Sequence, residues 1–562
     1  MALLLGLIWV LLVAIGWFAP LACDRWLSPI EENAARFAHR KFLVLVTLGG
    51  ATVLFRLALL PVLPVPMPAV HDEFSYLLAA DTFAHGRLSN PPHPMWIFFD
   101  TFHVLQHPTY ASKYPPAPGA LMAVGELLGH PWLGVLLSMA MMTVTMTWML
   151  QGWFSPPWAL LGGLLVLLHL NLFQYWTDSY YNGSVAAAGA ALTLGAYPRI
   201  LKSQKIHDAI LMGIGVVILA CSRPFEGLVF CLPVAIALLL KLRSICRNNL
   251  RVAALRVVLP LGLVLAAGTT FLAYYNAMVT LNPFAFPYVV YHRQYFNYPI
   301  FAWQHASPPQ HYANPQFEFF FNDWQRKAYP LTWEGWRHRA AETAWIWWAV
   351  FLGPLWTIPF LTLPRVLREE RMRLPVFQFV LCAIGLLSVV WFQPHYAAPL
   401  TATLMVLLIP AMCDLRQVKM QTRPTGIFLT RLVVIATIAS ILLQAGHAAL
   451  NPVVGWSTER LKVIKTLQSL DGKHLVIVQY APGHNVHHEW VYNDADIDRS
   501  RIVWARQVPG FNPKPLLDYF KDRKVWLLEP DASPPVLRPY PVLASGVDLG
   551  PGPKPPNNPR DP

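Results

Sequence analysis

Residues 70–104 read VHDEFSYLLAADTFAHGRLSNPPHPMWIFFDTFHV, a polar loop rich in His and Pro held between two apolar runs, 42–61 and 120–150. Runs of about 17–25 apolar residues have the length a helix needs to cross a bilayer. Working outward from this loop, further runs place spans at roughly 1–21, 42–61, 120–150, 157–176, 184–198, 207–222, 227–241, 255–279, 341–363, 376–393, 397–413 and 426–448. The 120–150 stretch is long enough for a surface helix followed by a span, and 227–241 is short. The first run lacks a basic start and reads as a span rather than a signal peptide. The expected fold class is a polytopic α-helical membrane protein of about twelve spans.

Composition agrees. The chain has 562 residues, of which 55% are hydrophobic and 13% charged, with a mean hydropathy of +0.40. Soluble domains carry about 25% charged residues, and several soluble cores could not be covered with half that share. A soluble multidomain enzyme, a disordered chain and a fibre are excluded. The net charge of +13 would suit nucleic acid, but its distribution points elsewhere. One connection carries Arg199, Lys202 and Lys205, and another Lys241, Arg243, Arg247, Arg251 and Arg256. A third carries Arg365, Arg368, Arg371 and Arg373, and a fourth Arg416, Lys419 and Arg423. The alternating loops 177–183 and 394–396 have no Lys or Arg. By the positive-inside rule the basic connections are cytoplasmic, so 62–119, 177–183, 280–340 and 449–562 face the other side. Membrane lipids, and no nucleic acid, are the expected partners of this charge. Cys23, Cys221, Cys231, Cys246, Cys382 and Cys413 fall in or beside apolar segments and imply no disulfide framework.

The expected organisation is an N-terminal span and cytoplasmic connector (1–41), a transmembrane domain (42–448) with outer loops 62–119 and 280–340, an extracytoplasmic α/β domain (449–549) and a disordered Pro-rich tail (550–562). Within the α/β domain, HLVIVQY (474–480), RIVWAR (501–506) and KVWLL (524–528) predict buried strands, and PLLDYFKD (515–522) a short helix.

Asp72 and Glu73 follow a Pro-rich approach, Pro61, Pro64, Pro66 and Pro68. The spacing of Phe74, Leu77, Leu78 and Phe83 predicts an amphipathic helix along the membrane surface, with Asp72, Tyr76, Asp81 and Arg87 near one polar edge. Such an acidic pair can act as a general base, or can cap the helix. Lys113, in Lys113-Tyr114-Pro115-Pro116, can present its ammonium to a lipid phosphate or simply snorkel. Asp178, Arg223 with Glu226, His292, Arg293, His395 and Tyr396 belong to the same face. Arg223 and Glu226 read equally as functional charges or as a pair holding a turn. A carboxylate base with cations at a membrane edge suits transfer of a group from a lipid phosphate.

The acidic pair Asp72-Glu73 in the first outer loop, the helix after it, the Lys113-Tyr114-Pro115-Pro116 element and the His395-Tyr396 turn together resemble the GT-C superfamily. These are integral-membrane glycosyltransferases that use polyprenyl-phosphate sugars, and the likeness is to the branch of protein O-mannosyltransferases and aminoarabinose transferases. It extends over roughly 40–448. The resemblance implies a GT-C-like bundle with Asp72 as catalytic base and Glu73 assisting. It implies donor-phosphate binding by Lys113, Arg223 and His395, with Tyr76, Asp178, His292, Arg293 and Tyr396 as substrate-binding candidates. His395 stands where related enzymes often carry Arg, and the N-terminal span and C-terminal domain depart from the simplest family pattern. The implied reaction is inverting transfer from a polyprenyl-phosphate donor to a glycan, lipid or protein acceptor on the outer face of the cytoplasmic membrane. The sequence requires no cofactor and leaves room for a divalent cation. The rival reading is a non-catalytic transporter or flippase of lipid-linked sugars. That protein would show paired broken spans or mid-membrane ionisable residues, whereas the charges here cluster at one face and no half-repeat is visible.

Weaker signals are His484, His487, His488 and Glu489 in GHNVHHEW, read as a hydrogen-bonded loop before a zinc site because HExxH is absent. DADID (494–498) fails as an EF-hand, with Arg499 in the Gly place and Ala505 in the Glu place. The aromatic loop 284–324 reads as a membrane-interface belt before a sugar-stacking surface. Asn182-Gly183-Ser184 is a sequon beside a span.

Overall fold

A computed structural model of the chain describes residues 18, 20, 21, 23–174, 176–451 and 455–541. The expected first span, but for residues 18, 20 and 21, and the Pro-rich tail lie outside the described residues. The helices are α1 (Asp24–Ala38), α2 (Lys41–Ala58), α3 (His71–Ala84), α4 (Pro116–Leu127), α5 (Trp132–Trp153), α6 (Pro156–His169), α7 (Gly183–Ser203) and α8 (Ile206–Ala220). They continue as α9 (Pro224–Ser244), α10 (Asn249–Thr280), α11 (Pro287–Tyr295), α12 (Trp333–Phe351), α13 (Gly353–Val366), α14 (Glu370–Ser388), α15 (Leu400–Arg416) and α16 (Thr425–Leu450). The C-terminal region adds α17 (Trp456–Ser469) and α18 (Lys514–Tyr519).

Six of these helices, α2, α5, α9, α10, α14 and α16, are long and apolar enough to cross a membrane, and the bent pair α12–α13 would make a seventh. The 22 residues of α5 reach about 33 Å at 1.5 Å per residue, enough for the hydrocarbon core. The chain is a multi-pass membrane protein. The expected count of twelve is not matched one for one. α6 and α8 are shorter apolar helices, and α7 and α15, each expected as a span, are packed on nearly all sides inside the bundle. The expected span 341–363 is two helices meeting at 93°, with Gly353 at φ +57 in the break. The break frees carbonyls that apolar surroundings cannot satisfy. His169 Nε2 reaches Phe351 O at 3.2 Å, and Gln174 Nε2 donates to Val350 O at 3.0 Å. At the basic end, Asp24 and Glu31 of α1 pair with Arg416 and Arg431 at 2.7–2.9 Å.

At the opposite end a two-stranded hairpin, β1 (Val104–Leu105) and β2 (Ala111–Ser112), follows α3. The C-terminal region forms a four-stranded sheet from β3 (His474–Val478), β4 (Ile502–Arg506), β5 (Lys524–Glu529) and β6 (Val536–Pro539), in the order β4-β3-β5-β6. β3 is parallel to β4 and β5, and β6 is antiparallel to β5. The three expected strands and the short helix are present; β6 and α17 were not anticipated. Parallel strands covered on both faces read as unbroken apolar runs, and both faces here are covered. Val476, Val478, Trp504 and Leu528 pack with Val463 and Leu467 of α17. Leu475, Ile477, Val503 and Leu527 pack with Phe74, Leu78 and Phe99 of the first outer loop.

That packing corrects the reading of α3. Its apolar face is covered by protein, not lipid: Phe74 and Leu78 enter the sheet's core, while Tyr76 and Ala80 enter a second core with Met122, Trp132 and Met139 of the bundle. The helix is held between the two. A Cβ at Gly119 of α4 would stand 2.7 Å from Ala79 Cβ, so glycine there permits the close approach of α4 to α3. The aromatic loop is likewise no belt. Tyr291, Phe296, Phe317, Phe320 and Phe321 form a buried cluster with Phe102 and Leu105, although Phe284 and Trp303 remain exposed.

Candidate active site

Asp72 sits in the first turn of α3, and Glu73 beside it faces elsewhere. Glu73 Oε2 accepts from the Ala69 and Val70 backbone N–H groups at 2.8 and 3.1 Å, and Oε1 from Tyr180 N–H at 3.0 Å. The carboxylate thus closes the helix N-terminus and pins the 177–183 loop to it. Burial pushes Glu73 up to about 7, against these three backbone donors. Its oxygens are committed to backbone.

Asp72 keeps a partly exposed carboxylate. Tyr114 donates its hydroxyl hydrogen to Oδ1, and His103 Nε2 lies 3.6 Å from Oδ2. The hairpin explains the second approach: Val104 pairs with Ser112, so His103 and Lys113 flank its open end. Lys113 N–H donates to His103 O at 3.2 Å. The Lys113 ammonium is caged by the rings of Tyr114, Tyr288, Tyr291 and Phe296, at 5.0, 4.9, 5.0 and 5.3 Å. Ring faces attract a cation without supplying a counter-charge. Burial pulls Lys113 down to about 7, Asp72 opposing and Arg223 adding to the shift.

The expected polar edge of α3 divides. Tyr76 stays with Asp72, its ring stacked on Tyr114 at 4.3 Å. Asp81 points to the C-terminal region, accepting from Ala495 N–H at 2.6 Å. Arg223 lies over the Tyr396 ring at 4.7 Å, and His395 stacks on Tyr181 at 4.5 Å. Arg223 and Asp72 both act electrostatically on His395 and Tyr396, so this turn belongs to the Asp72–Lys113 neighbourhood. Three other expected members are placed differently. Asp178 turns to the fully buried Arg56 of α2, at 3.2 Å. His292 gives Nε2 to Tyr298 O at 2.9 Å, and Arg293 is exposed.

Sequence reasoning missed His71 and His103, and read His487 only as part of a hydrogen-bonded loop. His71, next to Asp72, is buried, donates to Val486 O at 2.6 Å and stacks on Phe102 at 4.2 Å. His487 stacks on His71 at 5.6 Å and meets Trp324 edge-on at 5.0 Å, so GHNVHHEW brings the C-terminal region over the site. Burial pulls His71 down to about 4 and His103 well below the usual range, so both are neutral. Behind this loop Glu489 and Arg506 form a fully buried ion pair, and Arg506 also donates to Gln316 Oε1 at 2.8 Å. The Asn182 sequon is buried, its Nδ2 donating to Pro118 O at 3.2 Å.

Among the described residues no group of three or more His, Cys, Asp or Glu side chains could hold a metal ion. Asp72 is surrounded by a phenol, imidazoles and an ammonium, a set that lacks the several oxygen ligands a hard cation such as Mg²⁺ or Ca²⁺ takes.

Fold and site together define a multi-pass helical membrane protein whose carboxylate–cation pocket is roofed by a C-terminal α/β region. No family model and no curated protein matches the chain. Among solved structures it is similar to ArnT from Cupriavidus metallidurans bound to undecaprenyl phosphate, at 14% identity over 86% of this chain and 92% of that one, with a TM-score of 0.46. It is also similar to AglB from Archaeoglobus fulgidus in complex with an inhibitory peptide and a dolichol-phosphate, at 10% identity, 86% and 69% coverage and a TM-score of 0.40. A third is the Archaeoglobus fulgidus oligosaccharyltransferase in complex with Zn and sulfate, at 11% identity, 77% and 60% coverage and a TM-score of 0.42; the chain spans about three fifths of it.

Proposed function

We propose that the chain is an inverting glycosyltransferase that moves a sugar from a polyprenyl-phosphate donor to an acceptor hydroxyl on the outer face of the cytoplasmic membrane. The observation that carries this reading is Asp72 itself. It is a partly exposed carboxylate held by neutral groups, within electrostatic reach of a lysine that rings surround and no carboxylate pairs with among the described residues. Asp72 takes the proton of the acceptor hydroxyl as its oxygen bonds to the anomeric carbon. The bond from that carbon to the phosphate oxygen breaks, and its electron pair leaves with the polyprenyl phosphate. Lys113, Arg223 and the His395–Tyr396 turn hold that phosphate, where fixed charge stabilises the departing oxygen. The outer-face assignment is supported by the basic connections at the other end.

A transfer assay in vesicles with radiolabelled polyprenyl-phosphate sugars tests this. Asp72→Asn should lose at least about 10²-fold in rate, the scale of general-base catalysis, while still binding donor. Full activity in Asp72→Asn sinks the base assignment. No transfer by folded wild type from any such donor sinks the reading in favour of a transporter.

A further inference from the structure

His103 stands out from its own backbone. Its φ is +65, a left-handed conformation that a non-glycine residue holds only where the surroundings impose it. The surroundings do so from three sides. The Tyr291 hydroxyl accepts from His103 N–H at 2.8 Å, and the Ser75 hydroxyl donates to His103 O at 2.6 Å while touching Ser112 Oγ at 2.8 Å. Lys113 N–H also donates to that carbonyl, at 3.2 Å. Three separate segments (α3, the hairpin and α11) thus fix one strained residue, and the outcome is that its ring faces Asp72. The ring is buried, and its Nδ1 is a buried atom with no hydrogen-bond partner among the described residues. Strain and an orphaned acceptor are both unfavourable, and they coincide where Nε2 lies 3.6 Å from Asp72 Oδ2.

We propose that His103 is the positioning residue for the base: with Tyr114 on Oδ1 and His103 Nε2–H on Oδ2, it fixes the plane of the Asp72 carboxylate and keeps it from swinging onto the Lys113 ammonium. The inference rests on the glycosyltransferase reading. A distance of 3.6 Å is longer than a hydrogen bond, as catalytic contacts often are before substrate enters and tightens them. The groups facing the imidazole are Asp72, Lys113, His71 and His487. Burial first, then the lysine and the two neighbouring imidazoles, disfavour a second proton on the ring, so it is neutral, and the Asp72 oxygen facing Nε2 favours the tautomer that carries its one proton there. A neutral donor orients the carboxylate without neutralising it, which a lysine or arginine in the same place would do. Asp72 is left charged to accept a proton, and Lys113 is left for the phosphate.

The test compares His103→Phe with His103→Gln, whose amide N–H reaches the place of Nε2. In the vesicle assay His103→Phe should lower kcat about tenfold or more with the donor KM within about twofold, and His103→Gln should recover most of the loss. In an Asp72→Asn background His103→Phe should cost nothing further, because the two act as a unit. An undiminished kcat in His103→Phe, or an equal loss in the Asp72→Asn background, overturns the proposal. A readout independent of turnover is the infrared carboxylate band of Asp72, taken as wild type minus Asp72→Asn. Its antisymmetric–symmetric splitting should change in His103→Phe and return in His103→Gln; an unchanged splitting overturns the proposal even if the protein transfers no sugar. Should His103→Phe fail to fold, His103→Gln carries both measurements: near-wild-type kcat and splitting support the proposal, and a loss of both overturns it.

Discussion

Asp72 and Lys113 act on each other electrostatically without forming an ion pair among the described residues. The Asp72 oxygens face Tyr114 and His103, and the Lys113 ammonium faces four rings. A direct pair would neutralise both groups and leave neither for substrate. Their separation carries a consequence for pH. Lys113 titrates near 7 because burial disfavours its charge, and only the ammonium attracts phosphate. A sugar phosphodiester keeps a single negative charge through this range, so the titration belongs to the protein. Donor affinity should be flat below about pH 6.5 and fall about tenfold between pH 7 and 8.5, as the competent fraction shrinks. Calorimetric titration of the solubilised protein with donor checks this. Lys113→Arg, always charged, should remove the pH dependence, and an alkaline fall that persists in it would place the titrating group elsewhere.

Glu73 is expected to be structural where Asp72 is chemical. Glutamine at this position keeps the shape, but its amide nitrogen cannot accept, so at least one of the Ala69, Val70 and Tyr180 N–H groups goes unpaired. The cost should be about 1–3 kcal/mol of stability. The folded-state pKa of about 7 lies above the ordinary 4.5, so Glu73's contribution is complete below pH 4.5 and is withdrawn as pH rises through 7. Glu73→Gln should therefore lower Tm and also flatten its decline over that window. Rate per folded molecule should change less than about threefold. A large kcat loss at unchanged Tm would restore Glu73 as a partner in the chemistry.

These two carboxylates show what was legible in the sequence. Ionisable residues are scarce in such a chain, so Asp72, Glu73, Lys113 and Arg223 stood out by type and by side. Their division of labour did not, because Glu73's partner Tyr180 is 107 positions away. Apolar periodicity fails in a related way. Phe74 and Leu78 mark a buried face, but the pattern is the same whether a bilayer or a β-sheet covers it, and here the sheet does. His71 and His103 gave no signal at all, and His487 stood only in a run that reads as a hydrogen-bonded loop. A lone imidazole acquires meaning only from what faces it, and these three meet through the hairpin and the C-terminal loop. The break at Gly353 was hidden for another reason: an apolar run does not record that its helix turns by 93°.

The buried pair Glu489–Arg506 ties the C-terminal sheet to the outer loops through Gln316 and the Asp100 carbonyl. Removing one partner leaves a charge in a dry interior, about 3–5 kcal/mol, whereas replacing both with apolar groups can be close to neutral. Arg506→Met and Glu489→Leu should each lower Tm strongly, and the double variant should recover most of it. Burial works against the Glu489 charge, but Arg506 outweighs it and holds the carboxyl below its ordinary 4.5. Its contribution is thus intact at neutral pH and is lost only as pH falls below about 4.5 through the folded-state value. A double variant that loses as much as the sum of the singles would mean that no coupling exists.

Asp178 separates the two roles most cleanly, because the resemblance offered it as a substrate contact and the structure gives it to Arg56. The guanidinium is fully buried, donates to Leu63 O at 2.8 Å and lies over the Trp132 ring at 4.8 Å. Asp178 is 30% exposed, so losing its charge costs less than breaking a fully enclosed pair, about 1–3 kcal/mol. Asp178→Asn should lower Tm by a few degrees and leave donor affinity and kcat within about twofold at a temperature where the variant is folded. Adding Arg56→Met should return part of the lost Tm, since the stranded charge is then gone and a side chain still packs on Trp132. The measurements are thermal unfolding and transfer kinetics on the same preparations. A tenfold rise in donor KM at unchanged Tm would show that Asp178 leaves Arg56 for the substrate during turnover.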